Sequence, residues 1–392
     1  MNTLPPLSLY VHIPWCVRKC PYCDFNSHVS AEIPEQAYLN KLLEDLDFDR
    51  EFAQGRKIES IFFGGGTPSL MSGEFYQRLL PAIDKRLPFA EHIEITLEAN
   101  PGTTEAKRFQ AYAQAGINRL SLGVQSFKDR YLEKLGRIHS ASEAMKAIEQ
   151  AHEGGITNCN IDLMHGLPGQ TLDDAMDDIQ SALSLGPNHL SWYQLTIEQN
   201  TEFYRYPPAL PEDELMWDIQ NNGLQLLGEK GFQQYEVSAF SKPDFQAKHN
   251  LNYWQFGDYL GIGAGAHSKI TLLDDAQQLR GMYRYRKTRT PNDYLKAIAS
   301  RRSDVSSGPS IRVGEQAIPQ EDLAFEFMMN VLRLTKGVPA SLLSQRTGLE
   351  LSVLEPMLTE LKTRGLMKEE GLCTTDKGLL FLNTILEGFT EN

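Results

Sequence analysis

The chain has 392 residues, with 38 Lys and Arg against 51 Asp and Glu, 41% hydrophobic residues and 23% charged ones. That balance belongs to a globular protein of two or three domains, or of one α/β barrel with an appendage, and excludes a disordered, collagenous or coiled-coil chain. A net charge of −13 argues against broad nucleic-acid binding, which needs Lys and Arg to neutralise phosphates.

From the N-terminus, MNTLPPLSLYVHIPWC has no basic region before its apolar run, so it does not read as a signal peptide. No window of 18 apolar residues follows anywhere, so no membrane span is expected and the expected compartment is a reducing cytoplasm. Strand-length apolar runs recur at 7–13, 58–64, 92–98, 118–124, 158–164 and 189–197. Between and after them, helical spacing of apolar residues covers about 35–54, 72–86, 103–115, 140–153, 171–185 and 212–230. Six β-then-α units predict a parallel sheet with helices outside, curled by right-handed crossovers into a full or partial barrel over residues 1–230. Thr103-Thr104-Glu105 and Thr171 with Asp173 and Asp174 read as helix N-caps before acidic first turns.

The rhythm changes after residue 230. Residues 231–300 form an aromatic and glycine-rich extension that opens on a strand, GFQQYEVSAF, and contains GIGAGA. No helix is expected after that run, so it does not read as a dinucleotide loop but as backbone packed close to a neighbour. The one compact basic patch, RYRKTR at 284–289, reads as a solvated strand or loop face. Residues 301–320 are polar, rich in Ser and Gly, and read as a linker; residues 321–392 read as a helical, winged-helix-like unit. Its acidic residues suit packing or docking better than DNA.

Three of the five cysteines, Cys16, Cys20 and Cys23, fall within eight residues after the first strand, as C-x3-C-x2-C. Three thiolates on one tight loop suit a cubic iron–sulfur cluster with one iron left open. Zinc remains an alternative with His12 or His28 as fourth ligand, although no second Cys pair is present to close such a site. Cys159 and Cys373 stand alone in apolar runs and read as core residues.

YVHIPWCVRKCPYCDF resembles the cluster loop of the radical S-adenosylmethionine (SAM) superfamily. More narrowly, nearly the whole chain is similar to the branch containing oxygen-independent coproporphyrinogen III dehydrogenase and the HemW-type heme chaperones. The resemblance implies a partial (β/α)6 barrel carrying a [4Fe-4S] cluster whose open iron is chelated by SAM. Reduction of the sulfonium then gives methionine and a 5′-deoxyadenosyl radical. It further implies SAM contacts from Tyr10 and Tyr22 beside the cluster, from Gly65, Gly66 and Thr67 after the second strand, and from Glu98 to the ribose. Gln125, Arg137 and Asp162 match polar residues of a second SAM-binding region in the dehydrogenase.

Two departures separate this chain from the dehydrogenase: Phe25 stands where that enzyme's loop has a further cysteine, and no long arm precedes the first strand. Both are shared with the heme chaperones, as is the HNxxYW run His249-Asn250-Leu251-Asn252-Tyr253-Trp254. A neutral imidazole can ligate heme iron and flat aromatic rings can face a porphyrin, which makes His249 a candidate heme ligand and His267 a second. The expected function is a heme chaperone that binds heme as cargo and delivers it to apo-proteins such as respiratory enzymes. The resemblance also brings an electron donor and leaves room for a homodimer. The competing readings are radical oxidative decarboxylation of coproporphyrinogen III, which the two departures make unexpected, and a zinc-binding regulatory protein.

Overall fold

The computed structural model describes residues 4–30, 32–102, 106–299 and 310–390. Its strands are β1 Leu7–Ile13, β2 Trp15–Cys16, β3 His28–Val29, β4 Ile58–Gly65, β5 Phe89–Ala99, β6 Arg119–Gln125, β7 Cys159–His165 and β8 His189–Gln194. After these come β9 Gln233–Glu236, β10 Ala239–Ser241, β11 Asp258–Ile262, β12 His267–Leu273, β13 Leu279–Lys287 and β14 Arg312–Ala317. The six expected strands are thus all present. They pair in parallel in the order β1-β4-β5-β6-β7-β8.

Parallel neighbours need a crossover, and the amphipathic segments supply it. The helices are α1 Glu35–Asp49, α2 Gly73–Asp84, α3 Ala106–Ala115, α4 Asp129–Lys134, α5 Ala141–Glu153, α6 Leu172–Ser184, α7 Glu202–Arg205, α8 Asp213–Glu229 and α9 Lys248–Trp254. Covered by helices, strands such as LSLYVHI and CNIDLMH are buried along almost their whole length and form one continuous core with the helices. Capping boxes start α5 at Ser140 and α6 at Thr171, where the side chains accept from the N3 backbone. The cap expected at Thr103-Thr104-Glu105 lies outside the described residues.

The extension does not stand apart from the barrel sheet. β11 pairs in parallel with the other edge of β1, and β12, β13 and β14 continue antiparallel from it. At the far end, β10 and β9 add antiparallel to β8, giving one twelve-stranded order from β14 to β9. Of the expected linker 301–320, residues 301–309 lie outside the described residues, and Arg312–Ala317 is strand β14. The Arg312 guanidinium stacks over Phe48, Phe52 and Tyr285 and pairs with Asp49, contacts that composition could not reveal.

The basic patch also differs from its reading as a solvated face. Lys287 is fully buried, 2.5 Å from both Asp45 and Asp49 of α1, and Arg284 pairs with Glu326. Arg286 and Arg289 alone of its four cations are exposed. Alternation along β13 puts successive side chains on opposite faces, which a count of charges cannot register.

The C-terminal helices Leu323–Val331, Ser341–Thr347 and Glu355–Thr363, with two shorter ones, enclose a second core. Phe256, just after α9, meets Phe327 edge to face at 5.6 Å, which ties this unit to the sheet extension. Cys159 and Cys373 are both buried, Cys159 within the main core, as their apolar runs indicated. No helix among the described residues is long and apolar enough to cross a membrane.

Candidate functional site

β1 ends at Ile13 and the chain turns into the cysteine loop through β2, which pairs with β3 and so brings the loop back on itself. Within it, the Cys23 amide donates to the Cys20 carbonyl at 3.1 Å, a turn that places both thiols on one side. Cys16, Cys20 and Cys23 are half-buried and line one cavity of about 530 Å³ at the C-terminal ends of the parallel strands. The Thr67 hydroxyl donates to Cys16 Sγ at 3.4 Å, and Arg137 Nη1 lies 3.7 Å from Cys20 Sγ. Burial pushes the Cys16 and Cys23 thiols up, so a metal has to displace their protons.

Successive strand ends supply the opposite wall. Gly65 closes β4 and Gly66 follows it, and a side chain on either would collide with the chain leading into the cysteine loop: the added Cβ would lie 2.4 Å from the His12 ring of β1 or 2.5 Å from the Trp15 carbonyl of β2. Gly65 also has φ +114°, which side-chain-bearing residues avoid. Bare backbone therefore faces the cavity here. Glu98, on β5, accepts from the Gly65 amide at 3.2 Å, its one hydrogen bond among the described residues. Burial first, and then the nearby Asp162, push its carboxyl up to about 8.

Gln125 ends β6 in the left-handed region, φ 72°, a conformation costing about 1–3 kcal/mol in a residue with a side chain. The Tyr193 hydroxyl, from β8, donates to its Oε1 at 2.9 Å. Asp162, on β7, is pushed up by burial and accepts from Asn160 at 2.7 Å and Ser121 at 3.1 Å. Arg137 Nη2 donates to Asn100 Oδ1 at 2.6 Å and to the Gly123 carbonyl at 2.5 Å, while its buried Nε has no partner among the described residues. Tyr22 lines the same cavity.

A second cavity of about 340 Å³ adjoins the first and shares Phe25, Gly65 and Glu98 with it. Tyr10 lies in this second wall, together with His12, Asn26, Tyr253, Tyr259 and His267. Helix α9 serves both spaces. Asn250 and Trp254, one turn apart, line the cysteine cavity, while Tyr253 lines the second.

His249 reaches neither. It is 1% exposed, with Nδ1 2.9 Å from Ser60 Oγ and Nε2 3.1 Å from the Tyr253 hydroxyl, and its ring is stacked on Phe62. Burial holds its imidazole down at about 3. Glu94 of β5 accepts from the Lys248 and His249 amides and so fastens the start of the helix.

The Radical SAM superfamily model matches residues 10–182, and the HemN C-terminal domain model matches residues 318–381. The structure is similar to that of coproporphyrinogen III oxidase (HemN) from Escherichia coli, described as a radical SAM enzyme. The TM-score is 0.79 at 23% identity, over 99% of this chain and 91% of the other, a likeness of fold. Heme chaperone HemW of Escherichia coli (strain K12) is 49% identical over 99% of both chains, and that of Haemophilus influenzae is 49% identical over the same shares. The chain belongs to the HemW family.

In this HemW-family chain, no group of three or more His, Cys, Asp or Glu side chains among the described residues is gathered to hold a single metal ion. A cube takes its thiolates on three separate irons, so three thiols spread around one cavity suit it better than they suit mononuclear zinc. The spare acceptors of Glu98, the orphaned Nε of Arg137 and the bare Gly65-Gly66 backbone suit a ligand bearing both donors and acceptors, as SAM does.

Sequence reasoning missed Asn100, which donates to Thr67 Oγ1 at 3.0 Å and accepts from Arg137 at 2.6 Å, so linking the two. Its signal was its place two residues after Glu98 at the same strand end. Tyr193 and Asn250 were also missed as cavity residues, although Asn250 stands inside the HNxxYW run; Trp254 of that run, expected to face a porphyrin, lines the cysteine cavity.

Proposed function

We propose that this protein is a heme carrier that receives heme as cargo and delivers it to apo-proteins, respiratory enzymes among them, using a [4Fe-4S] cluster and SAM bound beside the cargo. The observation that carries the reading is the pair of adjoining cavities, one holding three thiols and the other walled by tyrosines, with Phe25 between them. The function borne by the names of the full-length relatives supports it.

In this reading Cys16, Cys20 and Cys23 hold three irons of the cluster. When bound and reduced by an electron donor, the cluster supplies one electron for cleavage of the sulfonium. Gly65, Gly66 and Thr67 receive the methionine end through backbone groups, and Glu98 accepts from the ribose hydroxyls. Arg137 lies along the Cys20 side, while Tyr22, Gln125 and Asp162 close the remaining wall and keep water out. Tyr10 reaches the site from the second cavity, beside Glu98.

The dehydrogenase reading is less well supported, because Phe25 takes the place of that enzyme's additional cysteine and is itself 61% exposed at the cavity mouth. Anaerobic reconstitution followed by hemin titration tests the carrier. A Soret band distinct from free hemin, with heme passing to an apo-protein acceptor, is expected. A band identical to free hemin would end the reading, and protoporphyrinogen formed from coproporphyrinogen III, SAM and reductant would replace it.

A further inference from the structure

We infer that His267, in the second cavity, ligates the iron of the carried heme, with Phe25, Tyr253 and Tyr259 against the porphyrin and Arg286 toward a propionate. The inference rests on the heme-carrier reading above and gives the cargo a place within it.

The histidines around the two cavities sort themselves by their bonds. His12 is buried, with Nδ1 3.0 Å from the Tyr10 hydroxyl and Nε2 2.8 Å from the Asn26 carbonyl. His249 is enclosed, and both its ring nitrogens are engaged. His28 has Nε2 3.2 Å from Asn26 Oδ1 and lines neither cavity. His267 opens the second cavity from the first residue of β12 and is exposed, and its imidazole makes no hydrogen bond among the described residues. Its imidazole is held below the usual range by partial burial and by Arg286 and Arg284, so near neutral pH it keeps the lone pair that iron needs.

The surroundings match the rest of the ligand. Tyr253 and Tyr259 meet edge to face at 4.5 Å and give a rigid aromatic wall. Phe25 adds a large exposed ring that water solvates poorly. Heme also carries two carboxylates. Arg286 stands directly opposite His267 in the β12–β13 ladder, is exposed, and has no ion pair among the described residues, whereas Arg284 is taken up by Glu326 and Tyr259. Arg289 adds a second exposed cation beside Asn26.

Size fits carriage better than storage. At about 340 Å³ the cavity is smaller than a whole porphyrin, so part of the ring stays outside, where an acceptor can take hold of it. Its shared wall with the cysteine cavity, through Glu98, Gly65 and Phe25, puts the cargo next to the cofactor.

The test titrates hemin into the reconstituted full-length protein and three variants, His267→Ala, His249→Ala and Arg286→Glu, with far-UV circular dichroism confirming folding. For His267→Ala we expect loss of the histidine–iron signature in resonance Raman and electron paramagnetic resonance spectra, affinity lower by about tenfold or more, and rescue of the spectrum by added imidazole. Arg286→Glu is expected to keep the signature and weaken binding by about fivefold or more, as its cation meets a carboxylate. A histidine signature that survives His267→Ala and vanishes in His249→Ala overturns the inference while leaving heme carriage intact. Wild-type protein that leaves hemin unchanged overturns both. Should His267→Ala fold poorly, His267→Gln, which keeps a polar side chain of similar size, is read by the same spectra.

Discussion

Across one turn of α9, the His249 imidazole reaches the Tyr253 hydroxyl at 3.1 Å, and Tyr253 in turn walls the second cavity. The histidine of the HNxxYW run therefore touches that cavity's wall through the tyrosine four residues later. Ser60, itself bonded to Ser8 at 2.8 Å, holds the other ring nitrogen and ties the helix to β4 and β1.

Removing that imidazole should be costly for the fold. His249→Ala takes the imidazole partner from the Tyr253 hydroxyl, leaves Ser60 with Ser8 alone and opens space beside Phe62, for an expected loss of about 2–4 kcal/mol. Urea unfolding measures it. An unchanged midpoint, at unchanged slope, would mean that the ring is not held as described.

Glu98 should make stability depend on pH. Its folded-state carboxyl lies at about 8 against an unfolded value of 4.5, so the folded chain binds the proton more tightly. The resulting stability is complete below 4.5 and is lost as pH rises through about 8. In the cofactor-free protein, Glu98→Gln should therefore gain in Tm over wild type as pH is raised across that window. Parallel melting curves at both ends of the window would contradict the assigned burial. With SAM present, Glu98→Ala should weaken SAM binding without loss of iron.

The cysteines separate metal holding from folding. Because the three thiols are half-buried on a loop, Ser at Cys16, Cys20 or Cys23 should change the stability of the metal-free chain by less than about 1 kcal/mol. Each change should nevertheless abolish reconstitution of four irons per chain, read by iron and sulfide analysis. Zinc retained in place of iron by anaerobically prepared wild type would instead favour the regulatory-protein reading.

Lys287 provides a structural contrast. It sits with no exposure between Asp45 and Asp49, and Arg312 pairs with the latter as well. Lys287→Ala leaves buried carboxylates short of a cation and should cost about 3–5 kcal/mol, measured by denaturant unfolding. The first backbone amides to gain hydrogen-exchange rate should be those of β12 to β14, because this cluster clamps the extension onto α1.

Periodicity made the parallel strands readable. In LSLYVHI and NIDLM, apolar residues that join the helix-covered core (Leu7, Leu9, Val11 and Ile13; Ile161 and Leu163) alternate with residues on the cavity side such as Tyr10, His12 and Asp162, and a helix follows each strand, capped by Thr171 in the second case. The cysteine triplet was equally plain, since its spacing lies within a single loop. Partners distant in sequence were not. β11 joins β1 across some 250 residues of chain, and nothing local to DYLGI says that its neighbour is LSLYV. Likewise RYRKTR reads as charge, while its burial is set by two aspartates on α1.

By itself, the sequence determined which short-range chemistry is present: a three-thiol loop, glycines that only bare backbone can satisfy, acids along the parallel strands, an arginine in the connection after the fourth of them, and helices with their caps. These depend on neighbours within a turn or a strand. The tertiary structure decided which of those groups share a space. It put Tyr10 with Tyr253 and His267, turned His249 inward to Ser60, and set Asn100 between Thr67 and Arg137. Such assignments follow from strand order and register, which are fixed by burial summed over the whole sheet and leave no mark at any single position.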